Sequence, residues 1–509
     1  MNAIETTLPA VPAAADVAIA RDATGLELKR GAVTNTLAML ASNFRGVFTF
    51  LIARLLGPAA LGTFSVAWAN LDLISKIAVF GLDNTITTFI ARSQAVGDHA
   101  RSRSLFRAAI VLTLLLSCTV AALSITALKL FGHRLHYPSE MVSALTFVLC
   151  ALPGVALYRV STSISRGMKV MKHDIFSRGL TEPIVTTLVF LAAFFVGYRR
   201  FAPEAAAVAG TAASGMLALA MAWNLFRHPP ARKDQRTLRN EAGELLAFSA
   251  PISAYQLINA FIFRLDVIML GWFIGRAPGV TLAAIGVYGA VIDIAGGLRK
   301  VNQSFNPIFA PVVAGMTATG DHELAAATYA RLAQWMLWIL LPLVAVMMFA
   351  GSTILFIYGK AFQQGGAWLG IVAVACATNA FVALGETVIM VQRPRLNLFN
   401  SLATCVIAIA ANLWLIPRFG ITGAAFGILI PYVVQGILRY IALRFVFKWP
   451  NPWKTIAPPV VSALVAFVPA LSCRVLVAGI AGQLLSALVF LVIFGIGWLY
   501  YSRSAKIAR

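Results

Sequence analysis

Fourteen predominantly apolar stretches follow one another along this chain, each long enough to cross a lipid bilayer as a helix. A helix needs about 20 such residues to span the hydrocarbon. The stretches run over residues 32–54, 61–83, 105–130, 141–165, 179–198, 203–226, 246–274, 281–300, 328–350, 366–391, 396–416, 421–445, 456–477 and 481–501. In lipid every backbone polar group needs a partner within the protein, so such runs become helices. With 60% apolar residues and a mean hydropathy of +0.82, no soluble core would bury this much apolar surface. The chain reads as an all-α integral membrane protein of about fourteen transmembrane helices.

The net charge of +22 resembles that of a nucleic-acid-binding protein, but its bases sit as short clusters between the spans. A nucleic-acid footprint needs one contiguous basic surface, so none is expected. The clusters report topology instead. Taking the connections alternately, one set carries 28 Lys and Arg and the other nine. The positive-inside rule then places both termini in the cytoplasm. The connections are short, and the longest, 227–245 and 301–327, leave no room for a soluble catalytic domain. None of the five cysteines forms a Cys-x-x-Cys pair, no His-x-x-x-His occurs, and the one adjacent His-Glu pair, His322-Glu323, has no second histidine at ligand spacing, so neither a metal site nor a cofactor is expected.

The chain resembles itself at an offset near 224 residues. Leu61-Gly-Thr-Phe64 answers Ile285-Gly-Val-Tyr288, Ser75-Lys76 answers Arg299-Lys300, and Gly97-Asp-His99 answers Gly320-Asp-His322. The shift covers six spans, an even number, so both copies enter the membrane in the same sense and are related by an axis along its normal. The expected organisation is a cytoplasmic tail (1–31), a six-helix N-lobe (32–226), a cytoplasmic linker (227–245) and a six-helix C-lobe (246–445). Two appended helices (456–501) and a short cytoplasmic tail (502–509) follow. The two pseudo-symmetric lobes would enclose a central cavity.

Charge inside a span is costly, about 2.5–3.5 kcal/mol at the helix centre on insertion scales, so intramembrane charges must face protein or water. With the bases near span ends, Arg439 among them, counted with the connections as topology signals, four remain inside spans: Arg45, Lys76, Arg159 and Arg264. Residues three or four apart share a helix face. Asn35, Ser42, Arg45 and Thr49 make one polar stripe, and Asp72, Lys76 and Asp83 another. Ser249, Ser253, Gln256 and Arg264 make a third, with Asn259 and Asp266 beside it. Asp293 and Lys300 share a stripe in the eighth span, and Asn379, Glu386 and Arg393 share one in the tenth. These residues predict a net-cationic cleft formed by Arg45, Lys76, Arg159, Arg264 and Lys300. Asn35, Ser42, Ser253, Gln256 and Asn259 would line it. Asp72, Asp266, Asp293 and Glu386 would serve as ion-pair partners or coupling carboxylates. Lys76 is expected to neutralise Asp72 across one helical turn, Asp266 is positioned in sequence to tie down Arg264, and Arg299 is expected to anchor to headgroups.

The stretch Ala53-Arg-Leu-Leu-Gly-Pro-Ala-Ala-Leu-Gly62, with Gly81-Leu82 and Ala91-Arg92, resembles the opening of bacterial O-antigen and exopolysaccharide flippases. In the second half, Arg264-Leu-Asp-Val-Ile-Met-Leu-Gly271, Ile285-Gly-Val-Tyr288 and the segment from Pro307 to Asp321 are similar to the seventh and eighth helices of that family. The resemblance covers roughly residues 30–450. It implies the fold of the multidrug exporters and the lipid II flippase, no enzymatic activity, and a place in the bacterial inner membrane. The implied cargo is an oligosaccharide joined through diphosphate to undecaprenol. Membrane lipids and the polysaccharide polymerase machinery are the implied partners of a monomeric protein. A cationic cleft suits a diphosphate, because the guanidinium fork matches phosphate geometry. A proton- or sodium-coupled exporter of drugs or metabolites is the alternative, since the deep bases and acids are formally balanced. A polymerase or ligase fits poorly, because no outward connection pairs a base with a nucleophile.

Overall fold

The computed structural model describes residues 44–132, 137–227, 238–303, 309, 313, 316 and 321–507. Among them every regular element is helical, as expected of a chain that must satisfy its backbone within lipid. Eleven helices are long and apolar enough to span a membrane, or twelve when the bent pair Pro58–Val79 and Leu82–Ala95 is counted as one span. The expected total of fourteen is therefore not established by this count. Of the first expected span, only the part from Phe44 onward, in the helix Phe44–Leu56, lies within the described residues.

The expected boundaries hold at one place and fail at another, each for a clear physical cause. The helical segment Pro394–Ile441 covers the eleventh and twelfth expected spans as two helices joined by a kink at Gly420, within the expected break between them. At 1.5 Å per residue, its 48 residues would be about 72 Å long if straight, more than twice a bilayer's hydrocarbon thickness. It is not straight. Gly420 takes φ 56°, and the two arms fold back on each other, with Asn412 Nδ2 donating to the Gly427 carbonyl at 3.1 Å. The departure is the bend of about 40° between Pro58–Val79 and Leu82–Ala95. There Phe80 and Gly81 both adopt left-handed conformations, φ 51° and 71°. A side chain at Gly81 would also bring its Cβ to 2.9 Å from the Ser249 carbonyl oxygen, so the helix Leu238–Trp272 packs directly into the break.

The sequence repeat becomes a physical axis where the halves meet. A Cβ on Gly62 would lie 1.9 Å from the Leu282 carbonyl oxygen, and one on Gly286 would lie 1.8 Å from that of Pro58. Pro58 and Leu282 stand at the same 224-residue offset as Gly62 and Gly286, so the two contacts exchange under a two-fold rotation. This reciprocal pattern is the signature of an isologous interface. Ser65 and its counterpart Gly289 meet across the same axis, a Cβ on Gly289 falling 3.2 Å from Ser65 Cβ. Apolar side chains have no hydrophobic drive to leave lipid, so close backbone approach through small residues holds such helices together.

At the other end the lobes meet through polar groups. The Ser249 hydroxyl donates to Thr85 Oγ1 at 2.7 Å, Gln256 Nε2 donates to Asp83 Oδ1 at 3.3 Å, and Arg101 pairs with Glu244 at 3.1 Å and Glu241 at 3.7 Å. The helices Trp453–Leu476 and Gly479–Ile507 attach to the second half alone among the contacts described. Trp338 packs on Phe494 with ring centroids 5.0 Å apart, and Gln483 Oε1 accepts from the amide and hydroxyl of Thr353.

The glycine seam generates a direct test. Cysteines placed at Ser65 and Gly289 in a background lacking the five native cysteines should form a disulfide, because their Cβ atoms lie near the distance such a bond requires. Gly62→Val should reduce that cross-link several-fold, since overpacking of this kind costs about 1–3 kcal/mol. Non-reducing electrophoresis after protease nicking of the 228–237 connection reads the yield, and an undiminished cross-link in the Gly62→Val variant would refute the close-packed seam.

Candidate functional site

Asp72 lies in the middle of Pro58–Val79, on the face turned toward the second half. Its Oδ1 accepts from Arg159 Nη2 at 3.0 Å, and its Oδ2 accepts from Arg264 Nε at 3.0 Å. Arg159 comes from Leu152–Gly167 and Arg264 from Leu238–Trp272, so three helices and both halves converge on one carboxylate. The side chains of Asp72, Arg159 and Arg264 remain 22%, 17% and 24% exposed, so the cluster is not sealed. Two guanidiniums against one carboxylate leave one formal positive charge. Lys76, one turn along the same helix, adds another.

The expected Asp72–Lys76 pair does not form, and the reason is energetic. A same-helix pair at this spacing contributes about 0.3–0.5 kcal/mol. Charge-assisted hydrogen bonds from two guanidiniums in a partly desolvated site are individually stronger. The expected tie between Arg264 and Asp266 also fails. Residues two apart on a helix point to different faces, and Arg264 turns toward the first half while Asp266 turns into the second. Asp266 is 2% exposed and accepts from the Tyr288 hydroxyl at 2.7 Å. Arg299, expected at the headgroups, is instead 8% exposed. It sits 3.7 Å from the Phe263 ring centroid and donates to the Tyr432 hydroxyl at 3.2 Å.

Glu386 anchors a separate network within the second half. Arg439 Nη2 donates to its Oε2 at 2.8 Å, Tyr255 donates to Oε1, and Asn397 Nδ2 donates to the Tyr255 hydroxyl at 2.8 Å. Arg439, counted by its position as a topology signal, is 2% exposed and serves as the partner of this carboxylate. Asn259 belongs here too, donating to the Tyr255 carbonyl at 3.1 Å and accepting from Ser401 at 3.5 Å. Ser253 and Gln256 lie at the polar seam beside Gly81 and Asp83. Lys300 stands in the field of Asp293 and Arg178, and Arg178 also acts on Lys76. Arg178 is exposed and is presented by the π-helical turn Ile175–Thr181, a distortion frequent at functional sites. Arg45 falls within the helix Phe44–Leu56, but its side chain, like Asn35 and Ser42, lies outside the described residues.

Sequence periodicity therefore found Asp72, Arg159, Arg264 and Glu386, but missed Tyr255, Asn397, Arg439 and Arg178. The missed tyrosine and asparagine look like ordinary span residues. Both missed arginines sit at the cytoplasmic ends of their spans by charge alternation, where headgroup anchoring is the default reading.

Residues 28–314 match the family described as polysaccharide biosynthesis protein. The chain belongs to that family. A curated relative, stage V sporulation protein B of Bacillus subtilis (strain 168), is 22% identical over 253 residues. That match spans 48% of this chain and 49% of the relative, so the chain covers about half the length of the relative it matches. Among solved structures, the lipid II flippase MurJ in an inward closed conformation is similar with a TM-score of 0.68 at 12% identity, covering 93% of this chain and 99% of that one. An inward-facing multidrug resistance transporter of the MATE family, within the MOP superfamily, gives 0.67 at 14% identity, covering 82% and 98%. This family member thus has the two-lobed fold of those transporters, with the shared Asp72 at the meeting of its lobes.

The Glu386–Arg439 pair should be costly to break singly. Arg439→Ala is expected to destabilise the protein by about 3–5 kcal/mol, because it leaves a carboxylate without its charged partner. Replacing both residues with apolar side chains of similar volume should recover most of that loss. Thermal unfolding in detergent measures it, and a neutral Arg439→Ala would count against a structural role.

Proposed function

We propose that this chain is a flippase for undecaprenyl-diphosphate-linked oligosaccharide units in surface polysaccharide synthesis. It would move them across the bacterial inner membrane by alternating access, with both termini in the cytoplasm. The observation that carries the proposal is the meeting of Arg159 and Arg264 at one carboxylate. The surplus positive charge there would stand at mid-depth between the two lobes. A diphosphate carries about two negative charges and offers oxygens that match the guanidinium fork. Arg45, Lys76 and Lys300 would add to the attraction, and the prenyl tail would stay in lipid. Family membership supports the polysaccharide context, and the fold supports rocking of one lobe against the other.

The alternative, a proton- or sodium-coupled exporter of drugs or metabolites, draws support from buried carboxylates. Asp266 is enclosed, and Glu386 is tied to a tyrosine and an arginine, an arrangement suited to coupling. Drug susceptibility of a null strain separates the two readings.

A null strain should lose a surface polysaccharide and accumulate lipid-linked units on the cytoplasmic side. Arg159→Ala or Arg264→Ala, expressed and inserted at wild-type levels, should fail to restore it, and Arg264→Lys should restore it only in part. Immunoblotting of surface glycan gives the readout. Full complementation by both alanine variants would refute the cationic site.

A further inference from the structure

We propose that Asp72 is a built-in counter-anion which the cargo's diphosphate displaces, and that this displacement releases the mid-depth tie between the two lobes. The inference rests on the diphosphate reading above and specifies how that site is regulated.

The geometry separates Asp72 from the other deep carboxylates. Asp266 is enclosed at 2% exposure, and Glu386 pairs with Arg439 inside a single lobe. Asp72 alone among these holds one arginine from each half, and all three side chains remain partly exposed. Its grip is also divided. Each carboxylate oxygen takes one arginine, and each arginine gives Asp72 a single N–H, Nη2 from Arg159 and Nε from Arg264. Neither guanidinium engages it with the two-pronged geometry that arginine makes with carboxylates and phosphates. A diphosphate offers more oxygens and more charge than one carboxylate, so it can engage both forks at once and leave Asp72 to the lysine beside it. Lys76 is one turn away and, among the described residues, has no carboxylate within salt-bridge distance, so it can receive Asp72 once the arginines are taken.

The consequence for the lobes follows from where their other contacts lie. The glycine seam at Gly62 and Gly286 closes one end, and the hydroxyl and amide contacts at Thr85, Ser249 and Gln256 close the other. Between these ends, the Asp72–Arg264 pair is the charged bond that crosses from half to half. An anion that takes Arg264 from Asp72 removes that bond while the end seams are still closed. Loading and loosening thereby become one event, and an empty carrier stays tied.

The test places spin labels on cysteines at Val96 and Leu324, 80% and 53% exposed, in a background without native cysteines. These positions lie beside the repeat-related Gly97 and Gly320 segments, so their separation reports the lobes. Undecaprenyl diphosphate in nanodiscs should shift the wild-type distance distribution. Asp72→Asn should show the shifted distribution without ligand and bind the lipid about tenfold more tightly, as expected when a competing state is removed. Asp72→Asn/Arg159→Gln keeps the local charge at the wild-type value and should show the same ligand-free shift, which guards against misfolding of the single variant. If the wild type responds to the lipid but neither variant differs from it without ligand, the counter-anion role is overturned and the flippase reading stands. If the wild type does not bind the lipid while both variants are shifted, the diphosphate reading and the displacement fall together, and only the ion pair's hold on the lobes survives. Inorganic pyrophosphate, run in parallel, should reproduce the shift at higher concentration if the headgroup alone displaces Asp72.

Discussion

One carboxylate shared by two arginines ties the two halves of this protein together. A lone guanidinium at bilayer depth is expensive, and two of them facing each other across a cleft would also repel. Asp72 offsets both penalties, but only by standing where Arg159 and Arg264 can reach it together. The three helices that carry these residues are therefore held in register at mid-depth. The remaining interlobe contacts, close-packed at one end and hydrogen-bonded at the other, take their places around that point.

The two end seams differ in chemistry. Where Gly62 and Gly286 meet, attraction comes from dispersion at near-contact distance and vanishes with a small separation. Where Thr85, Asp83 and Arg101 meet Ser249, Gln256 and Glu244, polar groups can exchange their partners for water as the seam parts. Exposed salt bridges of that kind contribute little on their own. The proposed alternation between states would part both seams. The enclosed pair Asp266–Tyr288 and the half-buried pair Glu386–Arg439, by contrast, lie within the second half and stiffen it as a body.

Much of the architecture was legible because membranes impose simple rules. Apolar run length gave nearly every helix, and the even shift of the repeat gave the sense of the two-fold. The repeat even singled out Gly62 and Gly286, which turn out to face each other at the axis. The boundary that failed did so where periodicity carries no information. Nothing in the apolar pattern marks Phe80 as left-handed, whereas the turn at Gly420 falls in the polar break that separates the eleventh and twelfth apolar runs.

Sequence alone determined that this chain spans a membrane many times, that its halves are related, and that Asp72, Arg159 and Arg264 must avoid lipid. Those conclusions depend on transfer free energies and helical spacing, which are local properties. Partner choice was decided only by the tertiary structure. The sequence offered Lys76 to Asp72 and Asp266 to Arg264, because nearness along a helix is all that spacing can measure. The fold instead brought residues 87 and 192 positions away to within 3.0 Å of Asp72, and it buried Arg439 and Arg299 that charge alternation had assigned to the surface. Pairing energy depends on distance and burial in three dimensions, and neither is set until the helices have packed.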